Sequence, residues 1–202
     1  MPDAITRLAN RHEFLVDCQR LEDEARAAQE LFAVVLVHVD SLEAICYWYG
    51  HLFVAKLVDI VAEALMRVES PHETASKVYQ RDDAQFAVAV RKPELAAIRA
   101  FAEALRAAAT AVRPDMRRTG VLDRHLDEGP SERDSIREIN LTVSLGIGVG
   151  LGLHNRVGLD VTSGVRLRQA RAQASVAERE AELALFEAHL SGMNGACIRV
   201  SR

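Results

Sequence analysis

The sequence lacks the features that would place this protein in a membrane, outside the cell or on nucleic acid. It has no apolar run near the ~18–20 residues that span a bilayer, and its first ten residues contain no secretory hydrophobic region. The three cysteines (Cys18, Cys46 and Cys197) are far apart and show no C-x-x-C spacing, which favours a reducing, cytoplasmic environment. A net charge of −4 with dispersed arginines argues against a nucleic-acid surface.

What is present is the composition of a globular domain. The chain has 202 residues, of which 49% are hydrophobic and 27% charged, and a chain of this length can bury a hydrophobic core. We expect a single domain over residues 1–202. Residues 113–140 combine prolines, glycines and many charged residues with little apolar periodicity, which predicts a loop insertion within that domain.

Apolar periodicity predicts an alternation of helices and strands. The predicted helices cover residues 10–30, 52–68, 94–111 and 163–190. The predicted strands cover residues 32–39, 77–81, 85–90, 141–149 and 196–200. Asp82-Asp83-Ala84 joins two of these strands as a hairpin turn. This order predicts the α/β or α+β class, built around one central sheet.

Four segments carry a specific pattern in a fixed order. They are Asp3–Phe14, Tyr49–His51, Leu141–Ile147 and Ala181–Asn194. In order and spacing they resemble the framework motifs of the GGDEF domain, the fold of bacterial diguanylate cyclases. The resemblance covers nearly the whole chain outside residues 113–140. It implies a central, mostly antiparallel five-stranded sheet flanked by helices, of the nucleotide-cyclase type.

The resemblance also implies where catalytic residues would lie. Active members join two GTP molecules with the help of two metal ions, and Mg²⁺ requires carboxylate oxygens. The family's first metal-binding Asp falls on His38, and the metal-binding acid of the signature hairpin falls on Ala84 or Gln85. We therefore expect no catalytic residue and no metal site, and we expect that the chain is not an enzyme. Asp40, the second acid of the same strand end, is expected to cap a nearby turn.

The positions that contact the nucleotide in the family are substituted as well. They fall on Glu43, Cys46, Ala55, Asp82, Asp83 and His189. The inhibitory product site of the family falls on Glu73 and Ser76, which do not match it. The resemblance therefore implies no nucleotide site, and no cofactor is expected.

Two further groups of side chains allow alternative interpretations. His38, Cys46 and His51 could form a zinc site, but their spacing matches no closed zinc pattern, so we interpret them as structural. Tyr47, Trp48, Leu52 and Phe53 replace a polar part of the family's nucleotide pocket. These apolar side chains either fill that pocket or form an exposed patch for a protein partner, and both alternatives remain open.

The resulting hypothesis is a catalytically inactive GGDEF-like domain that acts as a regulatory or scaffold protein. It would work through protein partners in cyclic di-GMP signalling or in a process that this signal controls, such as exopolysaccharide synthesis. A homodimer is compatible with the resemblance, although the contact between two GTP-loaded active sites is expected to be lost. Binding to nucleic acid and direct insertion into a membrane are not expected. The alternatives are a receptor for GTP or cyclic di-GMP and a working diguanylate cyclase, which a carboxylate close to His38 would favour. Since the chain begins at the first family motif, we expect a stand-alone adaptor or a piece of a longer protein.

Overall fold

The described residues form five helices and a five-stranded sheet. The computed structural model describes residue 8 and residues 11–68, 77–92, 94–113, 141–151 and 175–201. The elements, in chain order, are α1 (Arg11–Ala28), β1 (Leu31–Val39), α2 (Leu42–Tyr49), α3 (His51–Met66), β2 (Val78–Gln80), β3 (Gln85–Lys92), α4 (Leu95–Thr110), β4 (Val143–Leu151), α5 (Val176–Leu190) and β5 (Ala196–Val200). None of these helices has an apolar stretch long enough to cross a bilayer.

The sheet has the strand order β2-β3-β1-β4-β5, with β1 at its centre. β1 pairs antiparallel with both β3 and β4, and β2 pairs antiparallel with β3. Only β5 runs parallel to its neighbour, β4. The prediction of a central, mostly antiparallel five-stranded sheet flanked by helices is therefore confirmed.

β1 is buried on both faces, as its unbroken run of β-branched and aliphatic residues predicts. Val35 and Val37 point into one half of the core, which is covered by α3 and α4. Phe32, Val34 and Leu36 point into the other half, which is covered by α1 and α5. Because side chains alternate across a strand, a single apolar segment can supply both halves of the core.

Helix α2 is an element that the sequence analysis did not predict. Its inner face consists of Leu42, Ile45, Cys46 and Tyr49, of which Leu42 is buried and the other three are half-buried. Gly50 separates α2 from α3. Its φ of +81° is a backbone conformation that glycine adopts without a steric penalty. The chain therefore makes two helices where periodicity indicates one, beginning at residue 52.

Helix α5 lies directly on β4, and glycine makes this contact possible. A Cβ atom at Gly146 would collide with the backbone of Ala181 and Leu185, and one at Gly148 with the backbone of Ala177 and Ala181. Ser175 caps the start of this helix, and its hydroxyl accepts a hydrogen bond from the Glu178 N–H at 3.1 Å. The predicted helix over 163–190 is confirmed for its described part, and residues 163–174 lie outside the described residues.

The remaining boundaries agree with the predictions to within a few residues. The predicted insertion at 113–140 lies outside the described residues, apart from Arg113. The predicted edge strand at 196–200 is β5, which indeed lies at the edge of the sheet. In the hairpin formed by β2 and β3, the second strand begins at Gln85, as predicted, and Phe86 is fully buried.

Candidate functional site

The candidate site lies where the end of β1 meets the end of α5. His38 is the last residue but one of β1, and its neighbours across the sheet are Gln85 on β3 and Ser144 on β4. Asp40 follows β1 directly, and His189 lies in the last turn of α5. Because α5 packs closely along β4, its last turn reaches the strand end that carries His38 and Asp40.

His38, Asp40 and His189 form one cluster. The two imidazole rings meet edge to face, with ring centroids 4.8 Å apart. The Oδ1 atom of Asp40 lies 3.7 Å from Nε2 of His189. Each residue can present one potential metal-ligating atom, and these three atoms lie within 4.8 Å of one another. We refer to these three residues as the His-Asp-His cluster.

The Asp40 carboxylate is the most enclosed group of the cluster. Its side chain has no exposed surface, whereas 30% of the His189 side chain is exposed. Oδ2 accepts a hydrogen bond from the backbone N–H of Asn194 at 3.1 Å. This bond agrees with the prediction that Asp40 caps a turn, although the turn lies 154 residues further along the chain.

Two polar atoms of the cluster are buried without a hydrogen-bond partner in the part of the chain that is described. They are Oδ1 of Asp40 and Nε2 of His189. The hydroxyl of Ser144, next to His38 on the adjacent strand, is a third such atom. Burial and the neighbouring His189 lower the pKa of His38, which favours its neutral imidazole. Buried polar groups without partners are rare, so an ion or a water molecule is expected between these side chains.

The signature hairpin forms a polar turn. Asp82 and Asp83 are exposed, and the Asp82 side chain accepts a hydrogen bond from the Ala84 N–H at 2.9 Å. This side-chain bond is typical of aspartate in tight turns. Gln85 begins β3 and pairs in register with His38. The hairpin is therefore next to the cluster, but its two acids face solvent.

The other positions that contact the nucleotide in the family lie on α2 and α3 in this chain. Glu43 is exposed in the first turn of α2, and Ala55 is half-buried on α3. Glu73 and Ser76 lie outside the described residues. The expectation that these positions hold no nucleotide is not tested by the structure and stays a prediction.

The triplet His38, Cys46 and His51 is not assembled. Sγ of Cys46 lies 3.2 Å from Nδ1 of His51, across the α2–α3 junction. His38 instead joins the His-Asp-His cluster, the one group of three metal-ligating side chains found among the described residues. The sequence analysis considered His38, Asp40 and His189 separately. One sequence signal could have predicted that these residues lie together. His38 and His189 both fall on positions that take part in the same reaction in the family.

The aromatic segment divides between surface and core. Tyr47, Trp48 and Leu52 are 82%, 69% and 74% exposed. Phe53 is fully buried and packs against Tyr49, so its assignment to the partner patch is wrong. A helical turn explains this division, because Leu52 and Phe53 point about 100° apart on α3. We refer to the exposed surface formed by Tyr47, Trp48 and Leu52 as the aromatic patch.

The family model described as "Diguanylate cyclase, GGDEF domain" matches residues 1–127. This match covers more than half of the chain, and the protein therefore belongs to the GGDEF domain family. No curated protein sequence matches the chain significantly. The predicted family relationship is confirmed, and with it a relationship to proteins of cyclic di-GMP signalling.

Several solved GGDEF domains share the fold. The diguanylate cyclase SiaD of Pseudomonas aeruginosa, in complex with its activator SiaC, has a TM-score of 0.66 at 16% identity, over 99% of this chain and 61% of SiaD. The chain thus spans less than two thirds of that protein. The GGDEF domain of DgcB from Caulobacter crescentus, in complex with c-di-GMP, has a TM-score of 0.66 at 18% identity, over 98% of this chain and 92% of that one. The GGDEF domain of TpbB (YfiN) from Pseudomonas aeruginosa has a TM-score of 0.68 at 16% identity, over 100% of this chain and 95% of that one.

These comparisons correct one expectation. The sequence analysis expected that the chain is not an enzyme, on the basis of substituted motif positions. The family model and the structural relatives are those of diguanylate cyclases, and no observation on the described residues shows a loss of activity. The inference was wrong because substituted motif positions do not by themselves show a loss of activity, and the family to which the chain belongs is one of diguanylate cyclases.

Proposed function

We propose that this GGDEF domain has a regulatory role in cyclic di-GMP signalling and acts through a protein partner that binds the aromatic patch. The observation that carries the proposal is the exposure of two neighbouring aromatic side chains, Tyr47 and Trp48, on the short helix α2. Their rings meet edge to face, with centroids 5.3 Å apart. A regulatory role of this kind is compatible with enzymatic activity.

The chemistry of the aromatic patch suits a protein contact. Tyrosine and tryptophan are the residues most often found at binding hot spots, because they bury a large area and lose little side-chain entropy. Leu52 extends the exposed apolar surface across the α2–α3 junction. The partner is expected to offer an apolar groove that accepts the Trp48 ring.

One structural relative supports a protein partner. SiaD is a diguanylate cyclase, and it was solved in complex with its activator SiaC. By analogy, the partner of this chain is a component of the cyclic di-GMP pathway or of a process under its control, such as exopolysaccharide synthesis. This assignment of the pathway rests on the family alone.

The experiment replaces Trp48 with Ala in the chromosomal gene of the host bacterium. We expect the Trp48→Ala strain to resemble a deletion strain in its cyclic di-GMP concentration and its exopolysaccharide yield. The matched control is Phe186→Ala, which removes a 60% exposed aromatic ring on α5. Both purified variants should keep the wild-type melting temperature, because neither side chain belongs to the core.

Three outcomes would contradict the proposal. Trp48→Ala could behave as wild type, or Phe186→Ala could cause the same loss. In a third outcome, light scattering shows that the wild-type protein is a dimer and that the Trp48→Ala protein is a monomer. That result would assign the aromatic patch to a second copy of the chain instead of a different protein.

A second candidate function is diguanylate cyclase activity, which membership of the family favours. Incubating the purified protein with GTP and Mg²⁺, followed by chromatography, tests for cyclic di-GMP. Calorimetry with GTP and with cyclic di-GMP tests the receptor alternative. A flat binding trace and no product would remove both alternatives and leave the partner-binding role.

A further inference from the structure

We propose that His38, Asp40 and His189 bind one divalent transition-metal ion of the Zn²⁺ class. The site uses residues that the aromatic patch does not contain, so it can fail or hold independently of the function proposed above. The argument rests on the position, the burial and the chemistry of the three side chains.

Three elements that are distant in sequence deliver the ligands to one place. His38 comes from β1, Asp40 from the turn after it and His189 from the last turn of α5. Asp40 Oδ1 and His189 Nε2 face each other at 3.7 Å, and neither has a hydrogen-bond partner among the described residues. Leaving a buried carboxylate oxygen unpaired is unfavourable, and a bound cation would remove that penalty.

The spacing suits a single ion. In a tetrahedral site, bonds of about 2.0–2.2 Å from nitrogen or oxygen to zinc place two ligand atoms about 3.3–3.6 Å apart. The Asp40–His189 pair, at 3.7 Å, is already close to this separation, and all three ligand atoms lie within 4.8 Å of one another. A closure of about 1–1.5 Å would therefore complete the site, and rotations of the two histidine side chains can supply it.

The surroundings hold the carboxylate in place. Asn194 donates its backbone N–H to Oδ2 of Asp40, which leaves Oδ1 directed at His189. Hydrogen bonds of this kind to the second oxygen are typical of metal-binding carboxylates. The last turn of α5 adds the negative end of a helix dipole, which favours a cation.

The ligand chemistry selects the ion. The two Mg²⁺ ions implied by the family require mainly oxygen ligands, and a set of two imidazoles with one carboxylate does not fit them. Imidazole suits Zn²⁺, Fe²⁺, Ni²⁺ and Cu²⁺, and three protein ligands are typical of sites that keep an open position. The ligand set thus does not fit the metal that the family implies, and the proposal departs from our expectation of no metal site.

The test is calorimetric titration of ZnCl₂ into the metal-free, full-length protein. We expect one Zn²⁺ per chain and no competition from millimolar Mg²⁺. The variants His189→Ala and Asp40→Asn should each weaken binding by at least about 10–100-fold, the loss that follows even from removing an outer partner of a metal ligand. Zn²⁺ should raise the melting temperature of the wild-type protein and not that of His189→Ala.

A double variant separates this site from the other pair of possible ligands. Cys46→Ser combined with His51→Ala removes the pair that lies 3.2 Å apart at the α2–α3 junction. It should bind Zn²⁺ with wild-type affinity. With Co²⁺ as a spectroscopic probe, the wild-type protein should show no thiolate-to-cobalt charge-transfer band, because the proposed site has no sulfur ligand.

The proposal would be overturned by a flat titration of a folded, metal-free protein. It would also be overturned if the Cys46→Ser/His51→Ala protein loses the site, or if His189→Ala and Asp40→Asn both keep wild-type affinity. Circular dichroism of each variant shows that it is folded. Since Asp40→Asn keeps an acceptor for the Asn194 N–H, it remains informative if His189→Ala does not fold.

Discussion

At the residue scale, Tyr79 and Asp17 join β2 to α1. The Tyr79 hydroxyl donates a hydrogen bond to Oδ2 of Asp17 at 2.5 Å, and Lys77 contacts the same oxygen at 3.2 Å. The Tyr79 bond is the main reason why the pKa of Asp17 lies below its usual value of 3.8. Burial and the same bond raise the pKa of Tyr79. A hydrogen bond to an ionised group is stronger than one between neutral groups.

Replacing Tyr79 with Phe should lower the free energy of unfolding at pH 7 by about 1.5 kcal/mol, the low end for a hydrogen bond to a charged group. Because the folded pKa of Asp17 is depressed, its contribution is present above the unfolded pKa and is lost as the pH falls through the folded value. The difference between wild type and variant should therefore narrow as the pH falls below 3.8. Urea unfolding at pH 7 and pH 3 measures both effects.

The control for this prediction is Tyr47→Phe, which removes the same hydroxyl from an 82% exposed ring. It should leave stability unchanged at both pH values. A Tyr79→Phe protein that is destabilised equally at pH 7 and pH 3 would show that its effect does not come from Asp17.

At the scale of elements, the contact between α5 and β4 positions the candidate site. The helix approaches the strand so closely that its backbone occupies the space above Gly146 and Gly148. Arg81 holds the start of the same helix through ion pairs with Glu178 at 2.9 Å and Glu182 at 2.8 Å. Close packing and this anchor determine where His189, at the other end of α5, is placed.

Replacing Gly148 with Ala should therefore destabilise the protein by about 1–3 kcal/mol or more, because the added methyl meets helix backbone and not a flexible side chain. Thermal unfolding should show a loss of about 2–4 °C per kcal/mol for a chain of this size.

Gly150→Ala is the matched control on the same strand. The nearest atom to a Cβ there is the Ala177 Cβ at 3.7 Å, an ordinary contact. Its melting temperature should stay close to that of wild type. If Gly148→Ala and Gly150→Ala lower the melting temperature equally, the close approach of α5 is not the reason why Gly148 must be a glycine.

The elements that periodicity predicted well are those that bury a regular face. α1 buries Phe14, Cys18, Leu21 and Ala25, at the spacing of three and four that marks an amphipathic helix. α2 was missed although Leu42, Ile45, Cys46 and Tyr49 have the same spacing, because the helix has only eight residues and its outer face carries the exposed rings of Tyr47 and Trp48. Apolar residues on both faces of a short helix hide the period that marks its buried face.

At the scale of the whole molecule, we expect residues 115–137 to be dispensable for folding. The segment lacks apolar periodicity, and its many charges suit contact with water. Deleting it should leave the melting temperature within a few degrees of wild type, because long surface insertions cost little entropy to remove or add. A large drop would show that the segment contributes to the core.

The sequence by itself determined the class of the fold. Unbroken β-branched runs, helical stripes and four motifs in order were sufficient for the sheet and for the GGDEF family, since these signals are local and each element carries its own. Only the tertiary structure decided which polar side chains at the ends of strands and helices become neighbours. Asp40 and His189 are 149 positions apart, and they become neighbours only because α5 lies on the two bare glycines of β4. Local periodicity contains no information about such a meeting, because it depends on how whole elements pack.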